Sequence, residues 1–337
     1  MKKAILLLGA VLALAACSKT VTVVDEDVNP VSINPVSSVL TRGAEVVGTE
    51  FPTDLPIFVG ASTAEQSLFL PNQKFAYNET DNWWAVNGSD EHAAVYWPIG
   101  GKTVDFLAYA VNPADADIPT PAFDATTAAK KFTVTGWDVD SKQADLLYAV
   151  ANGEKSKKAA VDMEFQHALA LIVFNVRFNT GGGVFSIKNI TFGNKYTTGT
   201  LEVNNERNKL DLIWSSLSES ELKVPATTAA TYATEIVGAN GAAAGCKKYG
   251  DAITLGGGFF QLGETLLVIP QAASNPVITY TLDGKDYKYE ANAIRLNWEA
   301  GKAYIYDLSF NNNEILIAPT VKDWIGIDAS TGEVVYP

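Results

Sequence analysis

The stretch Ile278-Thr279-Tyr280-Thr281-Leu282-Asp283-Gly284-Lys285-Asp286-Tyr287-Lys288-Tyr289 predicts a β-hairpin. Apolar and polar residues alternate on both sides of Asp283-Gly284, a dipeptide that favours a two-residue type I′ turn because both positions tolerate positive φ. Such a turn pairs Leu282 with Lys285, Tyr280 with Tyr287 and Ile278 with Tyr289. All three pairs lie on one face of the hairpin, so the turn chemistry and the alternation agree on the register.

Similar segments recur along the chain between Gly, Asn, Asp and Pro residues. The clearest predicted strands are Thr103–Val111, Lys131–Trp137, Leu169–Phe178, Val184–Phe192, Thr265–Ile269, Ala303–Phe310 and Glu314–Pro319. No long stretch keeps the 3.6-residue period of a helix, although Asp211–Leu222 fits a short one. The pattern predicts an all-β fold with two sandwich-like domains.

The length of 337 residues also suggests two domains, at about 100–200 residues each. The polar, charged stretch 152–158 separates two strand-like runs. We therefore expect an N-terminal domain over residues 43–158 and a C-terminal domain over residues 159–337. A long hairpin loop inside a single domain is the alternative.

The composition excludes several classes of function. The chain has 25 Lys and Arg against 38 Asp and Glu, a formal net charge of −13 that argues against nucleic-acid binding. Two Cys and two His are too few for a four-Cys zinc site or a three-His metal site. We therefore expect no metal and no cofactor.

The N-terminus predicts export. Lys2 and Lys3 precede an apolar run over residues 4–16, which is too short to span a bilayer of about 30 Å but typical of a signal peptide. The run ends Leu14-Ala15-Ala16-Cys17, which matches the bacterial lipobox, in which the cysteine is acylated. This predicts a signal peptide over residues 1–16 and a lipid on Cys17; an ordinary signal peptide followed by a cysteine is the alternative. Cys246 then has no internal partner, and we interpret it as a free thiol.

No catalytic motif is evident, and we expect no enzyme. His92 lies in a polar loop and is interpreted as a solvated residue, whereas His167 begins an apolar strand and is interpreted as a hydrogen-bonded structural residue. Trp83, Trp84 and Trp97 could stack on sugar rings, with core packing as the alternative.

Several strings together resemble the fimbrillin family, the lipoprotein-derived subunits of type V pili. They are Tyr96-Trp97-Pro98, Val104-Asp105-Phe106-Leu107-Ala108-Tyr109, Phe165-Gln166-His167-Ala168-Leu169-Ala170, Leu267-Val268-Ile269-Pro270-Gln271, the 280–289 hairpin, Trp298 to Tyr306 and Val321-Lys322-Asp323-Trp324. Each string alone is weak, but their order along the chain is specific.

The resemblance implies a structural protein with two transthyretin-like β-sandwich domains and Greek-key-type connections. It implies transport to the outer membrane as a lipoprotein, followed by cleavage near the N-terminus by a trypsin-like, arginine-specific protease. Removal of a first strand then opens a groove in the N-terminal domain. An extended strand from the C-terminal end of a neighbouring subunit fills the groove, and repetition builds the fibre.

Arg42, followed by Gly43, fits the cleavage site that the resemblance implies. It lies among small and polar residues, and the next basic residue is Lys74. Residues 17–42 would then be a lipidated propeptide that lends a strand such as Val31-Ser32-Ile33 yet takes little core with it. A solvated linker arginine is the alternative.

The C-terminal residues 325–337 fit a donor strand. Their apolar residues are Ile325, Ile327, Val334, Val335 and Tyr336, and the 13 residues reach about 43 Å when extended. Backbone pairing with side-chain pockets is how an added strand binds a sheet. A last hairpin packed within its own domain is the alternative.

The sequence is therefore interpreted as a surface fimbrial subunit, made as an outer-membrane lipoprotein, cleaved after Arg42 and polymerised head to tail with identical or related subunits. Its isolated Arg42 and its apolar tail favour a stalk position. The rivals are a monomeric surface lipoprotein or tip adhesin that binds glycans, and a hydrolase with an unrecognised pair of carboxylates.

Overall fold

A computed structural model describes residues 30–37, 51–65, 69–79, 83–86, 95–112, 119–124, 130–141, 143–155, 159–179, 184–205, 210–223, 260–262, 265–291, 295–311 and 314–324. These residues form strands and turns with no helix among them, so the all-β prediction is confirmed. The strands are β1 (Ile33–Ser37), β2 (Ile57–Thr63), β3 (Leu70–Asn78), β4 (Trp83–Val86), β5 (Val104–Asn112), β6 (Ala122–Phe123), β7 (Lys131–Asp138), β8 (Asp145–Glu154), β9 (Val161–His167), β10 (Ala170–Phe178), β11 (Phe185–Asn204), β12 (Asp211–Lys223), β13 (Phe260–Gln261), β14 (Leu266–Val268), β15 (Gln271–Ala272), β16 (Val277–Leu282), β17 (Lys285–Glu290), β18 (Asn297–Trp298), β19 (Lys302–Asn311) and β20 (Glu314–Asp323).

Seven strands close on themselves in the order β1-β4-β3-β2-β5-β8-β9, and we call them the closed sheet. All of its neighbours are antiparallel except β1 and β9, which run parallel. Its interior, the first core, holds 22 buried apolar side chains among the described residues. The interior is apolar because every second residue of a strand points into it. In β9 the residues alternate between buried and exposed from Val161 to His167.

Two further sheets pack against each other over a second core. In the β10 sheet, β10 runs parallel to β19 and antiparallel to β13 and β14, and β19 pairs with β20. In the β11 sheet, the 20-residue β11 pairs with β7, β12 and β16, which add β6 and β17. The rings of Phe174, Phe192 and Tyr306 meet between the two sheets. β15 and β18 form a separate pair.

A third cluster, the joint core, packs the outside of the closed sheet against these two sheets. Leu107 and Tyr109 of β5 belong to the joint core, whereas Phe106 belongs to the first core, so β5 is buried on both faces. The closed sheet also approaches the β11 sheet closely at Gly60 of β2. A Cβ added at Gly60 would lie 2.4 Å from the ring of Phe123 in β6. The closed sheet and the β11 sheet are therefore in direct contact.

The hairpin predicted from the sequence is confirmed. β16 and β17 pair with the expected register, including Leu282 with Lys285 and Tyr280 with Tyr287. Asp283 and Gly284 have φ of 49° and 76°, the positive values that a type I′ turn needs.

The predicted short helix over Asp211–Leu222 is wrong, because these residues form β12 along β11. A bulge explains the misleading spacing. Ser216 has φ of 49°, and the register shifts between Thr198 and Thr200 of β11. Leu212, Trp214 and Leu217 consequently pack on the same joint core at a spacing that imitates a helix.

β8 and β9 follow each other along the chain and are neighbours in the closed sheet. This is the arrangement that the hairpin-loop alternative describes. The division into domains near residue 158, and their transthyretin-like and Greek-key character, stay predictions.

Candidate functional site

The candidate site is the position of β1 in the closed sheet. β1 runs parallel to β9, with five residue pairs from Ile33 opposite Val161 to Ser37 opposite Phe165. On its other side it meets β4 through one pair, Ile33 opposite Trp84. β1 therefore closes the sheet, and most of its residue pairs are with β9.

Buried and exposed side chains alternate along β1, so that one face of the strand packs on the first core. Ile33 and Pro35 are buried, whereas Asn34 and Val36 face outward and Val36 is 40% exposed. Val31 and Ser32, which directly precede β1, are also buried. Burying an aliphatic side chain of this size stabilises a fold by about 1.5–3 kcal/mol. Val31 and Ile33 are two of the 22 side chains of the first core, so β1 supplies a small part of that core.

Backbone bonds supply the rest of the attachment. The amide of Val31 donates to the carbonyl of Val95 at 2.6 Å, and the amide of Val161 donates to the carbonyl of Ser32 at 2.9 Å. A side-chain bond adds to these, because Nδ2 of Asn34 donates to Oδ1 of Asp162 at 2.7 Å. Backbone bonds with alternating side-chain pockets are what one strand uses to recognise a sheet edge.

Phe51 is a site residue that the sequence reasoning missed. Its ring contacts Trp84 of β4 at 5.6 Å and Phe165 of β9 at 4.8 Å between centroids. It therefore joins the two strands that flank β1 and is itself buried. A signal was present, because Phe51 is the first aromatic residue after a segment, 18–42, that has none.

Two of the tryptophans considered for glycan contact, Trp84 and Trp97, are buried. Trp84 is 5% exposed and packs on Phe51 and Tyr77, so its ring takes the core-packing role and gives no support to glycan contact. Trp83 precedes it in β4. Trp97 is also buried and contacts Phe106.

Most of the other predicted site residues lie outside the described part of the chain. These are Cys17, Arg42, Gly43, Ile325, Ile327, Val334, Val335 and Tyr336, together with His92 and Cys246. Their roles stay predictions.

His167 is hydrogen-bonded, as predicted. Its Nδ1 lies 2.6 Å from Oδ2 of Asp145, and both side chains are fully buried. Because solvent and substrate cannot reach this pair, the geometry favours structural bonding over proton transfer to a substrate.

Among the described residues, two buried tyrosines, Tyr148 of β8 and Tyr306 of β19, have strongly raised pKa values. Burial raises the pKa of Tyr148 to about 12, and it raises the pKa of Tyr306 to about 12 against the opposing effect of a hydrogen bond from Trp298. Within the described ranges, no group of three or more His, Cys, Asp or Glu side chains could hold a metal ion. No helix among the described residues has the length and hydropathy for a membrane crossing.

Comparison with known proteins gives the family. The model of the Fimbrillin-like family matches residues 46–324. A candidate cell adhesion protein from Bacteroides uniformis has a similar structure, with a TM-score of 0.51 and 17% identity over 88% of this chain and 99% of that chain. Another candidate cell adhesion protein, from Bacteroides ovatus, has a TM-score of 0.51 and 17% identity over 89% of this chain and 99% of that chain. A fimbrial protein from Bacteroides vulgatus has a TM-score of 0.50 and 15% identity over 81% of this chain and 93% of that chain.

No curated protein sequence matches the chain. At these identities the similar structures show the fold alone. The family match, in contrast, extends over most of the chain, from before β2 to Trp324. The chain therefore belongs to the Fimbrillin-like family.

Proposed function

We propose that the protein is the precursor of a fimbrial stalk subunit. It is exported as a lipoprotein acylated on Cys17 and is cut after Arg42 by an arginine-specific protease at the outer-membrane surface. β1 then leaves the closed sheet, and the C-terminal tail of a neighbouring subunit takes its place. Membership of the fimbrillin-like family supports the structural role of a fimbrial subunit.

One observation supports this proposal most directly: β1 ends at Ser37, upstream of Arg42, yet it is part of the closed sheet. A cut after Arg42 would separate β1 from the rest of the chain while leaving β4 and β9 in place. The facing edges of those strands would then carry unpaired backbone groups above an apolar core. Such an edge is a template for another strand.

The remaining closed sheet has a means of keeping its shape. Phe51 lies after the proposed cut, and its contacts with Trp84 and Phe165 join the strands on either side of the vacated position. Only Val31 and Ile33 leave the first core with β1, so most of that core stays with the cleaved form.

The tail has the length and pattern of a replacement. Five strand residues span about 17 Å, whereas the 13 residues of 325–337 reach about 43 Å when extended. Donating this tail to the next molecule makes a head-to-tail contact that does not close, and such contacts propagate into filaments.

The test is controlled cleavage of the full precursor with an arginine-specific protease. We expect a cut after Arg42, followed by fibres in electron micrographs and a ladder that resists SDS. Arg42→Ala should remain monomeric, whereas Arg207→Ala, a change at another arginine, should still assemble. Ile327→Asp should be cleaved but fail to polymerise, because a carboxylate cannot enter an apolar pocket without a large cost.

The matched control for the tail variant is Val184→Asp, since Val184 is 65% exposed and directly precedes β11, outside the closed sheet. This variant should assemble normally. Cleaved protein that stays monomeric, or normal surface fimbriae in cells that carry Arg42→Ala, would refute the proposed route.

A further inference from the structure

The residue directly before the tail, Trp324, packs against the connection between the closed sheet and the β10 sheet. Its ring lies parallel to that of His167, with centroids 3.3 Å apart and planes 2° apart. Trp324 is buried in the joint core. His167 is the last residue of β9, the strand that pairs with β1.

The backbone of Trp324 is tied to the same connection. Its amide donates to the carbonyl of Gly301 at 2.9 Å, and the amide of Gly301 donates to the carbonyl of Leu169 at 2.9 Å. Gly301 has φ of 71°, a conformation that glycine adopts without strain. Trp324 is thus held at its ring by His167 and at its backbone, through Gly301, by Leu169.

Asp145 fixes His167 in turn. The 2.6 Å contact between Asp145 Oδ2 and His167 Nδ1 sets the plane of the imidazole on which Trp324 stacks. Asp145 Oδ1 and His167 Nε2 are buried with no hydrogen-bond partner among the described residues. Polar atoms left in this way cost stability, so an apolar pair would fill the space at lower cost. A positioning role explains why a polar pair stands here.

We propose that Asp145, His167 and Trp324 form an anchor that ties the start of the C-terminal tail to β9. The inference rests on the proposed function, in which β9 binds the incoming strand and residues 325–337 leave for the next subunit. His167 lies two residues beyond Phe165, where the β1 register ends. The anchor therefore joins the acceptor position of a subunit to its donor tail by a short route through buried side chains.

The anchor protects a weak point of the fold. Among the described strands β20 pairs with β19 alone, and its last pair is Lys302 opposite Asp323, next to Trp324. Without the anchor, a pull on the tail would act first on this pair and peel β20 residue by residue. With the anchor, the load passes from Trp324 to His167 and into β9.

Single-molecule pulling on the full chain tests the anchor. One handle is attached through an azide-bearing residue at Glu164, an exposed position of β9, and the other at the C-terminus. The wild type should show no extension step before the force at which the whole fold unfolds. Trp324→Ala should add an earlier, low-force event that releases the ten residues of β20, an extension of about 33 Å. Trp324→Phe, which keeps a stacking ring, should remove that early event.

Trp298→Ala is the matched control, because Trp298 is equally buried but lies in the second core. It should lower thermal stability without the early event. Asp145→Asn keeps the volume and should give an intermediate force for the loss of β20, which keeps the test usable if Trp324→Ala does not fold. An early event that is absent in both Trp324→Ala and Asp145→Asn, or present equally in Trp298→Ala, would overturn the anchor. Because the measurement uses single molecules, it is independent of whether the subunits assemble.

Discussion

The closed sheet and the β10 sheet each contain one pair of parallel strands, and the two pairs are built alike but held differently. β1 and β9 share five residue pairs, whereas β10 and β19 share eight. Each pair has an Asn opposite an Asp with a side-chain bond between them, Asn34 to Asp162 at 2.7 Å and Asn175 to Asp307 at 2.9 Å. The local chemistry is thus the same in the β1–β9 pair and in the β10–β19 pair.

The difference lies in what surrounds each pair. β10 also pairs with β13 and β14, and β19 also pairs with β20, so both strands have neighbours on either side. β1 meets β4 at a single residue. Strands with few neighbours open at lower free energy than the global unfolding of the protein. A strand can therefore be a full member of a sheet and still be the part that separates first.

The largest expected effect comes from truncating one buried isoleucine in each pair. Ile33→Ala and Ile172→Ala should each lower the free energy of unfolding by about 2–5 kcal/mol, because both side chains are buried. Only Ile33→Ala should also release β1 locally. The measurement is hydrogen exchange at the amide of Val161, which donates to the carbonyl of Ser32, the residue directly before β1.

In Ile33→Ala the Val161 amide should exchange much faster than in the wild type, because β1 opens more readily, whereas in Ile172→Ala it should exchange at about the wild-type rate through the unchanged local opening of β1. Equal protection of the Val161 amide in the two variants would show that β1 is as firmly held as β10. The contrast between the pairs would then be wrong.

Alkaline pH provides a second comparison, because each pair has a buried tyrosine beside it. Tyr306 of β19 faces Phe174 of β10, and Tyr148 of β8 donates to Gln166 of β9 at 3.0 Å. Burial raises the pKa of each phenol to about 12, above its ordinary value of 10.0. Both therefore stabilise the fold below pH 10, and this stability is lost as the pH rises through 12, by about 2–3 kcal/mol for each group.

Denaturant unfolding at pH 8 and at pH 11–12, with tyrosinate absorbance followed in parallel, measures this loss. Tyr148→Phe and Tyr306→Phe should each remove part of the alkaline destabilisation. Tyr96→Phe is the control, since Tyr96 is 44% exposed, and it should leave the pH dependence as it is. Phenols that ionise near pH 10 while the protein stays folded would contradict the expectation.

The sequence predicted those parts of the fold that depend on neighbouring residues. Asp283-Gly284 sets its own turn, and the alternation on either side sets the register, so the hairpin was correct to the residue. The sequence pattern of β12 is misleading because its bulge at Ser216 is set by the register of its pairing with β11. Single-sequence patterns do not contain that pairing.

The candidate site was predictable in outline only. The Val31-Ser32-Ile33 segment was expected to supply a strand upstream of Arg42, and β1 begins at Ile33. Its parallel pairing with β9 and the contact of Phe51 with Phe165 each join residues more than a hundred positions apart. The stacking of Trp324 on His167 likewise joins two short motifs that the sequence shows separately.

The smallest expected effect tests whether the matching Asn–Asp bonds contribute equally. Asp162→Ala and Asp307→Ala each remove one exposed or partly exposed cross-strand bond, which is worth at most about 1 kcal/mol. Because β1 opens locally, Asp162→Ala should raise exchange at the Val161 amide by up to about fivefold. Asp307→Ala should leave exchange at its own pair unchanged, since β10 and β19 are held by further strands. A comparable rise at both pairs would mean that the side-chain bond, and not the number of neighbouring strands, decides how firmly a parallel strand is kept in this protein.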